Sequence, residues 1–347
     1  MKNLLIKIAL AVVVIIFSDK MAVAQDYHFS QFDTAPLYTN PAMTGYMIGR
    51  NRISLKYRGQ WSSVLEDNAY ETILVSYDGR TCPSGNISIA YGVNLVKDVF
   101  GFPAFQTNHY LGSFATHVKL SNGLMFAGGL QMGLLQFRLD LNGLAFENQF
   151  DGFVGFDTSL PSLEAFSDQQ PIDLLDIGGG VLLYDYKSGF NLGVGFHHIN
   201  PFNFYTFSET ELQVGNRPNV RWIVHGAFTL FTTSKIAIAP KFMAVIQVPH
   251  WQLNVGADFR LTVSKTKNNP FLNGVILGIG SRLSNRVNDV TTIDAVLFSA
   301  KTDIAKGILL GFGFDWNVSS LRRSSSSRGG IELSLVVEFG GSDKKKC

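Results

Sequence analysis

The sequence predicts an all-β protein. Its expected form is a transmembrane antiparallel β-barrel of about 14 strands, with an N-terminal segment packed at the lumen or periplasmic mouth. Three observations carry that expectation. The first is a run of strict alternation, "WQLNVGADFRLTV", in which Trp251, Leu253, Val255, Ala257, Phe259, Leu261 and Val263 are separated by polar or small residues. It outruns the roughly 5–6 residues of an ordinary globular strand. It suits a strand that crosses a bilayer at a tilt, one face to lipid and one to an aqueous lumen. A soluble β-sandwich would alternate too, but in shorter strands. The second observation is an export signal. The third is composition: 34 glycines, 12% aromatic residues and 16% charged residues.

Residues 1–24 read as a cleaved signal peptide, with Lys2 and Lys7 ahead of the apolar "IALAVVVIIF" and a small-x-small site ending at Ala24. The apolar run is too short to cross a bilayer comfortably. No cysteine follows it, which argues against a lipoprotein. Cleavage would remove Lys2, Lys7, Lys20 and Asp19 from totals of 29 basic and 27 acidic residues, leaving 26 of each. A neutral mature chain gives no reason to expect a nucleic-acid or polyanion partner. Cys82 and Cys347 are too few for a disulfide framework. A single bridge and two free thiols both remain open.

Residues 25–50 form the next division, a non-strand segment containing "HFSQFDTAPLYTNPAMTG". It shows neither helical nor strand period. Asn40 suits the cap of a helical turn, Pro41 its first position and Gly45 the left-handed residue that ends it. Phe29, Phe32, Leu37 and Tyr38 give the segment apolar surface to bury.

The barrel is expected over 51–339. Alternation places strands near 51–61, 71–78, 86–97, 108–120, 124–139, 174–187, 189–199, 220–231, 235–247, 250–263, 274–283, 289–300, 305–316 and 330–339. An even number suits a bacterial single-chain barrel. Tight connections, "SNG" at 121–123, "KSG" at 187–189 and "TTS" at 232–234, leave even strands, whereas 140–173, 200–219 and 317–329 leave odd ones. Short periplasmic turns and long outer loops then put both termini in the periplasm, with 340–347 as a basic periplasmic tail.

Candidate sites follow from parity and composition. There is no Gly-x-Ser-x-Gly and no Cys-x-x-Cys, so no catalytic residues, no cofactor and no metal site are assigned. His197 and His198 should point to opposite faces of a strand, one lumenal and one interfacial, and so cannot share a metal. Asp140, Glu147, Asp151, Asp157, Glu164, Asp168 and Asp173 make an acidic outer loop without EF-hand spacing. Phe150, Phe153 and Phe156, with Phe202, Phe204, Tyr205 and Phe207, enrich the long loops in aromatics. They would either cap the barrel or bind a protein partner. In the first and last strands, Arg52 and Arg58 should oppose Glu338 and Glu332 across the closing seam. A hydrated lumen would make each pair worth roughly 0.2–1 kcal/mol.

"QDYHFSQFDTAPLYTNPAMTGY" followed by "RNRISLKYRGQW" resembles the N-terminal signature of the PorP/SprF family of outer-membrane proteins associated with type IX secretion. "FDWNVSSLRRSSSSRGGIELSLVVEF" is similar to that family's closing hairpin. The resemblance implies a non-enzymatic barrel in contact with outer-membrane lipid. Its implied partners are the type IX translocon or periplasmic motor proteins, and a secreted or gliding-linked surface adhesin. The runner-up is a FadL-like transporter of hydrophobic small molecules, a fold of similar strand count whose members also carry Asn-Pro-Ala near the N-terminus.

Overall fold

The computed structural model describes residues 26–340 apart from 66–67, 82–83, 102–104, 122, 140–145, 154, 158, 162–171, 200–217, 234, 263–273, 286–290 and 306. The signal peptide, Cys82, the tail from 341 through Cys347 and the aromatic cluster Phe202, Phe204, Tyr205 and Phe207 lie outside the described residues.

Among the described residues, fourteen strands form the wall: β1 (Asn51–Gln60), β2 (Tyr70–Arg80), β3 (Ile87–Phe100), β4 (Phe105–Lys119), β5 (Leu124–Leu139), β6 (Ile172–Asp185), β7 (Phe190–His197), β8 (Arg221–Ala227), β9 (Ile236–Gln247), β10 (His250–Thr262), β11 (Gly274–Asn285), β12 (Thr291–Ala305), β13 (Ile308–Asn317) and β14 (Arg328–Phe339). Each pairs antiparallel with its sequence neighbours, and β1 pairs with β14, so the sheet closes and no edge is left for lipid to meet unpaired. The expected barrel and strand count are borne out. The additional two-residue pieces Phe150–Asp151 and Gly155–Phe156 pair with each other as a small hairpin in the β5–β6 connection.

Period two dictates which face meets what. In β1, Ile53 and Leu55 are exposed on the outside, while Arg52, Ser54, Lys56 and Arg58 are buried on the inside. In β3, Ile87, Ile89, Tyr91, Val93 and Leu95 face outward, and Ser88, Ala90, Asn94, Val96 and Asp98 face inward. The outer surface is apolar because lipid is the solvent there. The inner surface is polar, yet it is buried.

The odd-numbered strands end at one mouth, at Gln60, Phe100, Leu139, His197, Gln247, Asn285 and Asn317. The connections after Leu139 and His197 make this the loop mouth. The even-numbered strands end at the other, the turn mouth, where β14 also finishes at Phe339.

Candidate functional site: the segment inside the ring

Residues 26–50 contribute no strand, and their local structure follows from two prolines and a glycine. A 3-10 turn at Phe32–Thr34 leads into single turns at Pro36–Thr39 and Pro41–Met43, each opened by a proline whose missing N–H costs nothing there. Asn40 is extended, and its Oδ1 accepts from the Ala42 N–H at 2.9 Å. Its Nδ2 donates to the Val181 carbonyl and lies 3.0 Å from His225 Nε2. Gly45 adopts φ +78° and donates its N–H to Asp78 Oδ2 at 2.7 Å.

The wall is cut to receive this chain. A Cβ at Gly129 would lie 2.5 Å from the Pro41 carbonyl, and one at Gly180 would lie 2.0 Å from Asn40 Oδ1. Apolar patches interrupt the polar inner face where the segment presents its own. Phe29, Ala35 and Tyr38 pack on Leu74 and Val96; Ala42 and Met43 pack on Ala127, Leu182 and Tyr184; Phe32 packs on Ile223 and Met243. Those contacts reach strands on several sides of the closed ring. The segment therefore lies within it.

Four charged clusters tie the segment to the wall. Near the loop mouth, Asp26 Oδ2 lies 2.8 Å from His198 Nε2 and 3.2 Å from Arg221, while His198 Nδ1 lies 2.9 Å from Asp176. The Asp26 N–H donates to Gln247 Oε1. Burial opposes the charge on His198, but the flanking carboxylates outweigh it and push its pKa up to about 10. Burial would likewise raise Asp26, yet His198 and Arg221 hold it well below the usual carboxylate range.

The second cluster surrounds Arg58, which contacts Glu332 at 2.6 Å and Asp315 at 2.8 Å. Arg282 also reaches Asp315, and Lys56 reaches Glu332 at 3.1 Å. Glu332 accepts the Ser30 and Gln31 N–H groups at 2.6 and 2.9 Å. Burial and the adjacent Arg58 and Arg282 charges depress the His28 pKa, keeping that ring neutral. In the third, Asp33 meets Lys241 and Lys301, which both also contact Asp258. In the fourth, Arg52 grips Asp78 through two N–H groups and donates to the Tyr46 and Met43 carbonyls.

Several sequence expectations change here. The register does set Arg52 opposite Glu338 and Arg58 opposite Glu332. Only the second pair is an ion pair, however: Arg52 turns to Asp78, and Glu338 accepts the Ile48 and Gly49 N–H groups instead. Nor are these charges hydrated, since Arg58 is 1% exposed and Glu332 0%. The segment that covers them excludes the water that would have screened them. The histidine pair also differs. His198 adopts φ +59°, breaking the alternation, so His197 and His198 are both buried on the inside. Gly340 follows β14 at the turn mouth, whereas Asp26 sits among residues of the loop mouth, because the segment runs back through the ring before β1 begins.

Among the described residues, no group of His, Cys, Asp or Glu is arranged to hold a metal. In the acidic connection, Asp157 is occupied with the Ser159 N–H and hydroxyl, and Asp173 accepts from Gln136. The hairpin there exposes Phe150, Phe153 and Phe156, with the Phe150 and Phe156 rings 5.1 Å apart and edge-on. Asp26, Asp33, Asp78, Asp176, Arg221, Asp258, Arg282, Lys301 and Asp315 were not singled out from sequence. For those on strands the available signal was inward parity, a charge between two lipid-facing residues, as in "FDW" or "SYDG"; Asp26 and Asp33, in the aperiodic segment, had no such signal.

The fold is similar to that of solved outer-membrane barrels. The CymD monoaromatic hydrocarbon channel aligns at a TM-score of 0.50 and 10% identity, over 89% of this chain and 93% of that one. The Ralstonia pickettii toluene transporter TbuX gives 0.49 and 10%, over 92% and 96%. The P. putida toluene transporter TodX gives 0.48 and 11%, over 89% and 95%. No curated protein matches the sequence. The family described as "Type IX secretion system membrane protein PorP/SprF" matches residues 22–337.

Proposed function

Because the chain belongs to the type IX secretion system membrane protein PorP/SprF family, we propose that it is a non-enzymatic outer-membrane barrel that works on other proteins at its two mouths. The observation that carries this reading is the occupied lumen. A conduit for large cargo needs an open bore, but here residues 26–50 meet the inner wall through the ion pairs of Asp26 and Asp33 and through buried hydrogen bonds from Gln31 to Glu332 and from Gly45 to Asp78. Each broken buried pair would cost about 3–5 kcal/mol, so emptying the bore is unfavourable.

On this reading the loop mouth faces outward and the turn mouth faces the periplasm. Segments 1–24, 25–50, 51–339 and 340–347 are then signal, plug, barrel and tail. The outer partner is a secreted protein or gliding-linked adhesin, held by Phe150, Phe153 and Phe156 together with Phe202, Phe204, Tyr205 and Phe207. Aromatics at a protruding loop supply apolar area at low entropic cost and are favoured at protein interfaces. Translocon or motor proteins would meet the turn mouth. Replacing Phe150, Phe153 and Phe156 together by Ser should abolish co-purification of the surface protein from native outer membrane, while barrel level and heat-modifiability stay unchanged. Unchanged co-purification would return these aromatics to capping the barrel.

A transporter of hydrophobic small molecules is less well supported. Its path should be apolar, whereas the inner faces here carry Arg58, Lys301, Asp315 and Glu332. A cavity beside Gln31 and Phe32, against Gly256, Gly278 and Gly280, measures about 30 Å³. That is room for water, not for a ring. Co-purifying fatty acid would reverse this preference.

A further inference from the structure

The contacts of residues 26–49 progress in one direction. Asp26 is held by His198, next to the end of β7, and by Arg221, the first residue of β8. Both positions are at the loop mouth. Ser30 meets Asp315, close to the Asn317 end of β13. Asp33 meets Lys241 in the middle of β9, and Asn40 meets His225 in the half of β8 nearer the turns. Gly45 meets Asp78 near the Arg80 end of β2, and Gly49 meets Glu338 beside the end of β14. Asp315 registers with Gly330. From Gly330 to Glu338 along β14 is about 26 Å at roughly 3.3 Å per residue. At the roughly 35–45° tilt of such strands that is a rise of about 20 Å, most of the roughly 25 Å apolar band of an outer-membrane barrel.

We infer that the segment threads the whole lumen from the outside inward, so that Asp26 lies at the cell-surface mouth while Gly340 lies at the periplasmic one. The barrel wall closes around a segment of its own chain fixed at both mouths. The outer fastening is the clasp of Asp26, His198, Asp176, Arg221 and Gln247. The inner one is covalent, since Arg50 runs directly into β1. Such a plug does not leave as a body toward the periplasm, because its outer end would have to release His198, Arg221 and Gln247 and pass through the bore. The inference places Asp26 beside the outer loops, within reach of whatever those loops hold. It rests on the outward orientation of the loop mouth proposed above.

The test uses full-length protein in cells, with an epitope placed in turn just before Asp26, at Gly152 in the β5–β6 hairpin, and after Gly340. Intact cells should label the first two, and the third should label only after the outer membrane is permeabilised. Labelling at Gly152 without labelling before Asp26 overturns the threading. Labelling after Gly340 but not at Gly152 overturns the orientation instead; the threading then stands if the epitope before Asp26 is silent together with Gly152, and falls if it labels with Gly340. Should an epitope block assembly, Asp26→Cys with His198→Cys in purified barrel reads the same placement. A short bis-maleimide should join the two within one folded, heat-modifiable chain. A folded barrel in which no such link forms refutes the threading.

Discussion

Reversing the charges of Arg58 and Glu332 tests whether the barrel seam is a pair or a network. Either single swap, Arg58→Glu or Glu332→Arg, removes one partner of a buried ion pair, which costs about 3–5 kcal/mol. An isolated pair would recover when both are swapped. The surroundings argue otherwise. Arg58 also neutralises Asp315, so a carboxylate at position 58 would face a second carboxylate. Glu332 also takes Lys56 and the Ser30 and Gln31 N–H groups, so a guanidinium at 332 would meet a cation and two donors. The double swap should therefore remain at least about 3 kcal/mol less stable than the native protein. Urea midpoints of purified barrel, read by the heat-modifiable shift on gels, measure this. Arg322→Glu in the exposed β13–β14 loop is the control and should lie within about 0.5 kcal/mol of native. Recovery of the double swap to the control value would refute the network and leave a simple closing pair.

Three further outcomes are expected. Gly129→Ala should unseat the plug by about 1–3 kcal/mol, because its Cβ would lie 2.5 Å from Pro41 backbone, while Gly128→Ala, which meets open space, should be silent; protease sensitivity of residues 26–50 separates the two. Since the folded pKa of His198, about 10, lies above its ordinary value of 6.5, its contribution is complete below about pH 6.5 and is lost as pH rises through 10. Protection from hydrogen exchange around Asp26, taken relative to the intrinsic base-catalysed rate at each pH, should fall over that window in native protein and stay constant in His198→Gln; constant protection in native protein would show that Arg221 and Gln247 alone hold the clasp. Asn40→Ala should cost about 1–3 kcal/mol, since it removes the cap on Ala42 and leaves the Val181 carbonyl without its donor; an unchanged urea midpoint would contradict that role.

The sequence by itself determined the wall. Lipid outside and polar surroundings inside impose period two on every crossing, so strands such as His250–Thr262 are legible residue by residue. Strand parity and loop length together set the β1–β14 register, because a slip by one residue would turn Arg58 or Glu332 into lipid. Asn40, Pro41 and Gly45 announced a capped turn because capping is local chemistry. Only the tertiary structure decided what fills the ring. The strand partners of Asp26, Asp33, Asn40 and Gly45 lie on β2, β6, β8, β9 and β12, far away in the chain and linked to it by no spacing or period. The same closure turned seam charges expected in water into buried ones, and a single left-handed residue, His198, broke the strand rule that should have separated it from His197. The direction of the plug was likewise undetermined by the sequence. An aperiodic segment carries no parity, and only its ordered series of contacts shows that Asp26 and Gly340 lie at opposite mouths.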